Sequence, residues 1–272
     1  MNDSRSNPDA APPALEMRGL TMTGMRNPKQ IVARDVNWTV QPGEFWVVAA
    51  PQHSGKSDFL MTAAGIMAPA AGEFSFLGEP MPIFEEERMS HRLKLGFVFD
   101  GGQLLGSLTI AENIALPLRY HSRLKEAEII ERVNALLQAT ELTARANLTP
   151  INVARSWLQR AGLARVLAVA PEVLLLDSPL TGLDVRHTIW WLGILDELSR
   201  GHALLGGKPL TLVATADDLR PWRYHANRVA CLRQRGFVVL GDWAAVETSP
   251  EAVVQELLRT EAAPNPKSEA KV

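Results

Sequence analysis

The chain has 272 residues, of which 46% are hydrophobic and 21% charged, an ordinary globular balance. Its net charge of −2 leaves no basic excess to neutralise a phosphate backbone, which argues against nucleic acid as the main partner. The single cysteine, Cys231, rules out an internal disulfide and fits a reducing compartment.

Residues 1–14 are rich in Pro, Ala and Asn, lack the apolar run of a secretory signal and read as a disordered tail. Ile31–Val40 is strand-like, and Pro42-Gly43 makes a turn. Phe45–Ala50 is a continuous apolar run, as expected of a strand buried on both faces. After the segment PQHSGKS, an apolar helix pattern runs from Asp58 to Met67. Glu85–Arg88 reads as a solvated helix start. Residues 122–142 pattern as an amphipathic helix, with Ile129, Ile130, Val133, Leu136 and Leu137 on its apolar face. Val153–Ala170 is helical in pattern, Glu172–Asp177 and Leu210–Thr215 are buried strands, and Arg228–Leu240 is a hairpin turning at Arg235-Gly236. Ser249-Pro250-Glu251 predicts the cap and first turn of a last helix, to about Arg259. Residues 261–272 read as a second tail. No run of ~18 apolar residues occurs, so no segment is predicted to span a membrane. The alternation of elements predicts an α/β fold with a mostly parallel sheet covered by helices.

The strand–APQHSGKS–helix setting predicts a phosphate-binding loop. Successive backbone N–H groups at a helix start make a nest for phosphate oxygens. Lys56 is placed to reach the β/γ-phosphates and Ser57 to ligate Mg²⁺. Two positions where glycine is common are Ala50 and His53. Histidine tolerates a left-handed backbone better than most residues, so the loop predicts weakened rather than abolished nucleotide binding. The six histidines, His53, His91, His121, His187, His202 and His225, lack metal-ligand spacing and are expected at the surface. Cys231 is expected in the core. Of Trp190 and Trp191, one is expected in the core and the other at an interface.

Further motifs then fall into register. Leu174-Leu175-Leu176-Asp177 looks like a Walker B strand, and Leu180-Thr181-Gly182-Leu183-Asp184 resembles a D-loop. Pro150 and the run Gln159–Arg165 resemble the flanks of a signature helix, and Ala226–Gly241 a terminal hairpin. The chain therefore resembles the nucleotide-binding subunit of an ABC transporter over residues 15–245. Within that family, GGQLLGSLTIAENIALPLRYH at 101–121 is similar to lipid transporters of the Mla and mammalian-cell-entry type. The resemblance implies a P-loop NTPase core with an antiparallel β subdomain and a helical subdomain inserted at about 88–165, the whole domain running from 15 to 260. It implies ATP and Mg²⁺ as cofactors. Gln52, His53, Ser54, Gly55, Lys56, Ser57 and Asp58 would hold the nucleotide, and Ser57, Asp177 and Asp100 the metal. The implied partners are an integral membrane permease and a second ABC subunit, identical or different. The implied location is peripheral, on the cytoplasmic face of the inner membrane.

The same register exposes departures. The glutamate that polarises water in the family is replaced by Ser178, a neutral hydroxyl that is no base near neutral pH. The switch histidine falls at Ala216, the Q-loop glutamine at Asp100, and the LSGGQ signature at Val153-Ala154-Arg155-Ser156-Trp157. The adenine-stacking aromatic is missing near Met22–Met25. These departures predict impaired or absent ATP hydrolysis, with a nucleotide-independent scaffold as the alternative. Asp100 offers a hard oxygen for Mg²⁺ and Arg155 a cation for phosphate. The simpler expectation is a solvated loop residue and a helix-surface charge.

Overall fold

The computed structural model describes residues 11–81 and 86–259. In chain order the elements are β1 (Leu15–Thr23), β2 (Ile31–Val40), β3 (Phe45–Ala49), α1 (Lys56–Ala63), β4 (Ala71–Phe76), β5 (Glu79–Pro80), α2 (Met89–Arg92), β6 (Leu95–Val98) and α3 (Ile110–His121). They continue with α4 (Glu126–Ala139), α5 (Arg155–Leu167), β7 (Val173–Leu176), α6 (Val185–Arg200), β8 (Thr211–Ala216), β9 (Arg228–Arg233), β10 (Gly236–Gly241), α7 (Trp243–Glu247) and α8 (Ala252–Leu258).

Two sheets form. The larger has the order β10-β9-β3-β8-β7-β6, parallel from β9 to β6, with β10 antiparallel at its edge. The smaller, β2-β1-β4-β5, is antiparallel. The α/β fold with a mostly parallel sheet and an antiparallel subdomain is the one expected. The apolar run of β3 explains why the larger sheet is buried on both faces: Phe45, Val47 and Ala49 enter one core, Trp46, Val48 and Ala50 the other. Leu174 and Leu176 of β7 face the first core, Val173 and Leu175 the second. The first core is closed by α3, α4, α5 and α6, the second by α1 and the smaller sheet.

Several expected boundaries shift, for local physical reasons. The helix expected at Asp58–Met67 starts at Lys56, because Gly55 adopts φ +89° and ends the loop there. A Cβ on Gly55 would lie 2.9 Å from Val32, so position 55 requires glycine. The helix expected over 122–142 is α4, beginning at Glu126 after α3 ends at His121. Its buried stripe is Ile129, Val133, Leu136 and Leu137; Ile130 lies about 100° off that stripe and is 52% exposed, against expectation. The last helix starts at Ala252, and the Ser249 hydroxyl accepts the Glu251 N–H two residues before it, so Ser249 is not the cap. Ala14, grouped with the N-terminal tail in the sequence, is buried and its N–H donates to the Val40 carbonyl. β6 lies inside the expected 88–165 helical insertion yet pairs with β7 in the core sheet, with the short α2 before it and α3, α4 and α5 after it. Residues 1–10 and 260–272, with Glu85 and the Glu86 side chain, lie outside the description.

The LT-x-x-EN segment has a structural role. Thr109 and Glu112 form a reciprocal capping box at the start of α3. The Asn113 amide, fully buried, donates to the Leu105, Leu108 and Thr109 carbonyls and accepts the Leu105 N–H. The carboxyl terminus of each parallel strand then delivers a loop to one end of the sheet: residues 50–55 from β3, Asp100 beyond β6, Asp177-Ser178 from β7 and Asp217 from β8.

Candidate functional site

The loop after β3 bends as its sequence requires. His53 sits at φ +60°, the left-handed conformation expected of it, and Gly55 at φ +89°. Ala50 has no positive φ, so the absent glycine there leaves the backbone unstrained; its N–H donates to the Ala216 carbonyl at 2.9 Å. The Lys56 ammonium folds back over the loop and donates to the Ala50 and Pro51 carbonyls at 2.9 and 3.0 Å. Burial lowers its pKa, and the carboxylates of Asp217 and Asp177 oppose that shift. The Ser54 hydroxyl is buried without a hydrogen-bond partner among the described residues. Gln52 reaches sideways, its amide donating to Asp217 Oδ2 at 3.2 Å. Asp58, expected among the ligand-holding residues, accepts the Met25 N–H through its carboxylate at 3.1 Å and so fastens the β1–β2 loop.

Asp177 ends β7 nearly buried, at 6% exposure. Desolvation raises its pKa; hydrogen bonds from the hydroxyls of Ser57, Thr215 and Ser178 work against the rise, and the nearby charge of Asp100 adds to it. Thr215 Oγ1 donates to Asp177 Oδ1 at 3.1 Å and accepts the Ser178 N–H at 2.8 Å. Ser57 and Asp177 are thus brought together as hard oxygen donors suited to a divalent cation. Asp100 is not free to join them in the same way. Its carboxylate pairs with the Arg155 guanidinium and accepts from Gln159 Nε2 at 3.3 Å. Both remain about half-exposed, as expected of a loop residue and a helix-surface charge, but each has the other as its partner.

Ser178 has a left-handed backbone, φ +49°, and offers a hydroxyl 3.4 Å from Asp177 Oδ1. Ala216 closes β8 at 5% exposure and presents only a methyl group. Neither can accept a proton from water at neutral pH. A carboxylate passed over in the sequence lies next door: Asp217 accepts from Gln52 and from the Thr181 hydroxyl at 3.4 Å, beside a cleft of about 650 Å³ between residues 51–52 and 180–183. Its only signal was its position at the carboxyl end of a parallel strand.

The start of α5 is built differently. Ala154 is its N-cap and supplies no side-chain hydrogen bond. Trp157 is flanked by the Arg145 and Arg160 guanidinium groups, 3.7 and 4.4 Å from its ring centroid. Arg160, fully buried, also lies 3.8 Å from the Trp190 ring, pairs with Glu141 at 2.6 Å and donates to His187 Nδ1 at 3.0 Å. His187 is therefore buried rather than at the surface, and desolvation with the adjacent Arg160 charge lowers its pKa. Trp190 packs against Arg160, and Trp191 is the core residue of the pair. Cys231 is buried as expected, its thiol pushed up to about 11 by desolvation. No cluster of metal-ligating side chains and no helix long and apolar enough to cross a membrane occurs among the described residues.

Comparison with known proteins agrees with this architecture. The profile described as ABC transporter matches residues 33–181. The chain is 29% identical over 248 residues to the probable ribonucleotide transport ATP-binding protein mkl of Mycobacterium leprae, covering 90% of this chain and 68% of that protein. It is 27% identical over 246 residues to the intermembrane phospholipid transport system ATP-binding protein MlaF of Escherichia coli, covering 90% and 88%. Among solved structures, the dimeric post-hydrolysis state of the ATP-binding cassette MJ0796, bound to ADP and Pi, superposes with a TM-score of 0.72 at 27% identity, over 82% of this chain and 95% of that one. With a Walker-type loop on β3, an aspartate ending β7 and a matched profile over more than half its length, the chain belongs to the ABC transporter family.

Proposed function

We propose that this chain is an ATP-binding subunit that holds Mg·ATP and hydrolyses it slowly or not at all. It would sit peripherally on the cytoplasmic face of an inner-membrane permease that moves lipids. One observation carries the reading: the Lys56–Ser57–Asp177 cluster is assembled, while Ser178, Ala216 and the start of α5 hold no group that can activate water.

The residues fit the ligand. The orphaned Ser54 hydroxyl and the left-handed turns at His53 and Gly55 suit a phosphate-binding nest. Backbone N–H groups of Gln52–Ser57 and the Lys56 ammonium would hold phosphate oxygens, and Ser57 and Asp177 a magnesium ion, which supplies charge neutralisation when bound. Asp177 gains most, since a cation removes the penalty that desolvation places on its charge. Hydrolysis depends on preorganised charge, and each missing donor costs about 10²–10³ in rate.

The family's dimer places the signature of one subunit over the loop of the other. A second copy of this chain would present Arg155, tied to Asp100, and Trp157, held between two arginines. A different, intact subunit would complete neither site: one would use this chain's loop without a glutamate, and the other would face Arg155 and Trp157. The lipid cargo rests on the 27% identity to the phospholipid transport protein and on the 101–121 segment.

Thermal unfolding with and without Mg·ATP tests the reading, alongside phosphate release. At ~100 times the dissociation constant, binding stabilises by about 2.7 kcal/mol, and Lys56→Ala removes that gain. Phosphate release stays at background in both. Hydrolysis at the rate of intact cassettes, abolished by Lys56→Ala, overturns the impaired-hydrolysis reading. No stabilisation at millimolar ATP identifies a scaffold that has left nucleotide behind.

A further inference from the structure

The P-loop has a second side. Next to the Asp217 cleft, with which it shares Pro51, Gln52 and Glu256, lies a cavity of about 820 Å³, lined by Ile31 and Val32 of β2, Gln52 and Ser54 of the loop, and Gln234 and Arg235 of the β9–β10 turn. Its volume suits a nucleoside-sized ligand. Lys56, which would grip the phosphates, lies within the field of Asp177 and Asp217 at the ends of β7 and β8. Gln52 and Ser54 of the same loop also form part of the wall shared with β2 and the hairpin, so a nucleoside joined to phosphates on this loop would have that cavity within reach.

The β1–β2 loop offers no ring to receive it. Met25 is 60% exposed, does not line the cavity, and its N–H is held by Asp58. The hairpin turn does line it, and its position is fixed. Arg235 has φ +55°, its carbonyl accepts the Arg34 N–H at 3.1 Å, and it bridges to Ala33 of β2. Next along β10, Phe237 stacks on Phe59 of α1, centroids 5.0 Å apart at 15°. Of the two arginines at this rim, Arg233 is engaged by both oxygens of Glu251, at 2.6 and 2.8 Å. Arg235 is exposed and has no ion pair among the described residues.

We propose that the β9–β10 turn is the nucleoside clamp of this chain, with the planar Arg235 guanidinium stacking on the base and the Gln234 amide reading its edge. A guanidinium plane is a stacking surface as well as a charge. The residue is held in a backbone conformation that L-residues avoid, as at sites where the surroundings over-determine geometry. This proposal rests on the nucleotide-binding reading above.

Calorimetric titration with Mg·ATP and with Mg·tripolyphosphate separates the two. Arg235→Asn keeps a residue that tolerates the left-handed backbone, and Arg235→Lys keeps the charge without the plane. Both variants are expected to weaken ATP binding at least about tenfold and to leave tripolyphosphate within about twofold. Equal losses on both ligands, an unchanged ATP affinity, or full retention by Arg235→Lys each overturn the clamp. If the wild-type chain binds tripolyphosphate as tightly as ATP, the clamp falls and the P-loop reading stands; if it binds neither, both fall.

Discussion

The loop after β3 and the start of α5 are the two surfaces from which an ABC site is built, and they have diverged in opposite ways. At the loop, little has been added. Ala50 needs no special backbone, His53 accepts the left-handed bend, and Lys56 waits on two carbonyls that a phosphate can displace. At α5 the side chains are already engaged. A cap residue without a hydroxyl, an arginine paired to Asp100 and an indole between two guanidinium groups occupy the approach. The two surfaces therefore differ in kind: the loop keeps an open backbone nest, and the start of α5 carries side-chain interactions of its own that can be measured.

The largest effect expected is on stability. Arg160→Ala removes a fully buried cation shared by Trp157, Trp190, Glu141 and His187. It should cost about 3 kcal/mol in urea unfolding. Its Mg·ATP affinity should match wild type; a parallel loss of affinity would mean that the two surfaces are one unit. Next, Ala154→Ser supplies the missing cap of α5 and should stabilise by about 1 kcal/mol, with phosphate release unchanged. Smallest is the coupling between Asp100 and Arg155, both about half-exposed. A double-mutant cycle with Asp100→Ala and Arg155→Ala should give under about 1 kcal/mol, the range of solvent-screened pairs. A larger value would make this pair a brace between β6 and α5.

The sequence carries these surfaces unequally. Strand β3, the loop and Asp177 are local patterns, and each side chain's role follows from its immediate neighbours. The Arg160 cluster draws Glu141 and Arg145 from the α4–α5 connection, Trp157 and Arg160 from α5, and His187 and Trp190 from α6, and nothing in the spacing of any one of these three segments announces the meeting. Arg155 and Asp100 are 55 residues apart, so their pairing is written in the sheet order and not in either motif. Ile130 misled for a simpler reason: an apolar residue beside Ile129 is counted into a stripe that passes it by.

The hydroxyls around Asp177 bear on how its carboxylate is held. Ser57, Thr215 and Ser178 surround that carboxylate with alcohols, so it is not a bare anion in an apolar wall. The placement of that carboxylate is therefore set by the protein's own hydroxyls, from α1, from β8 and from the residue that follows Asp177.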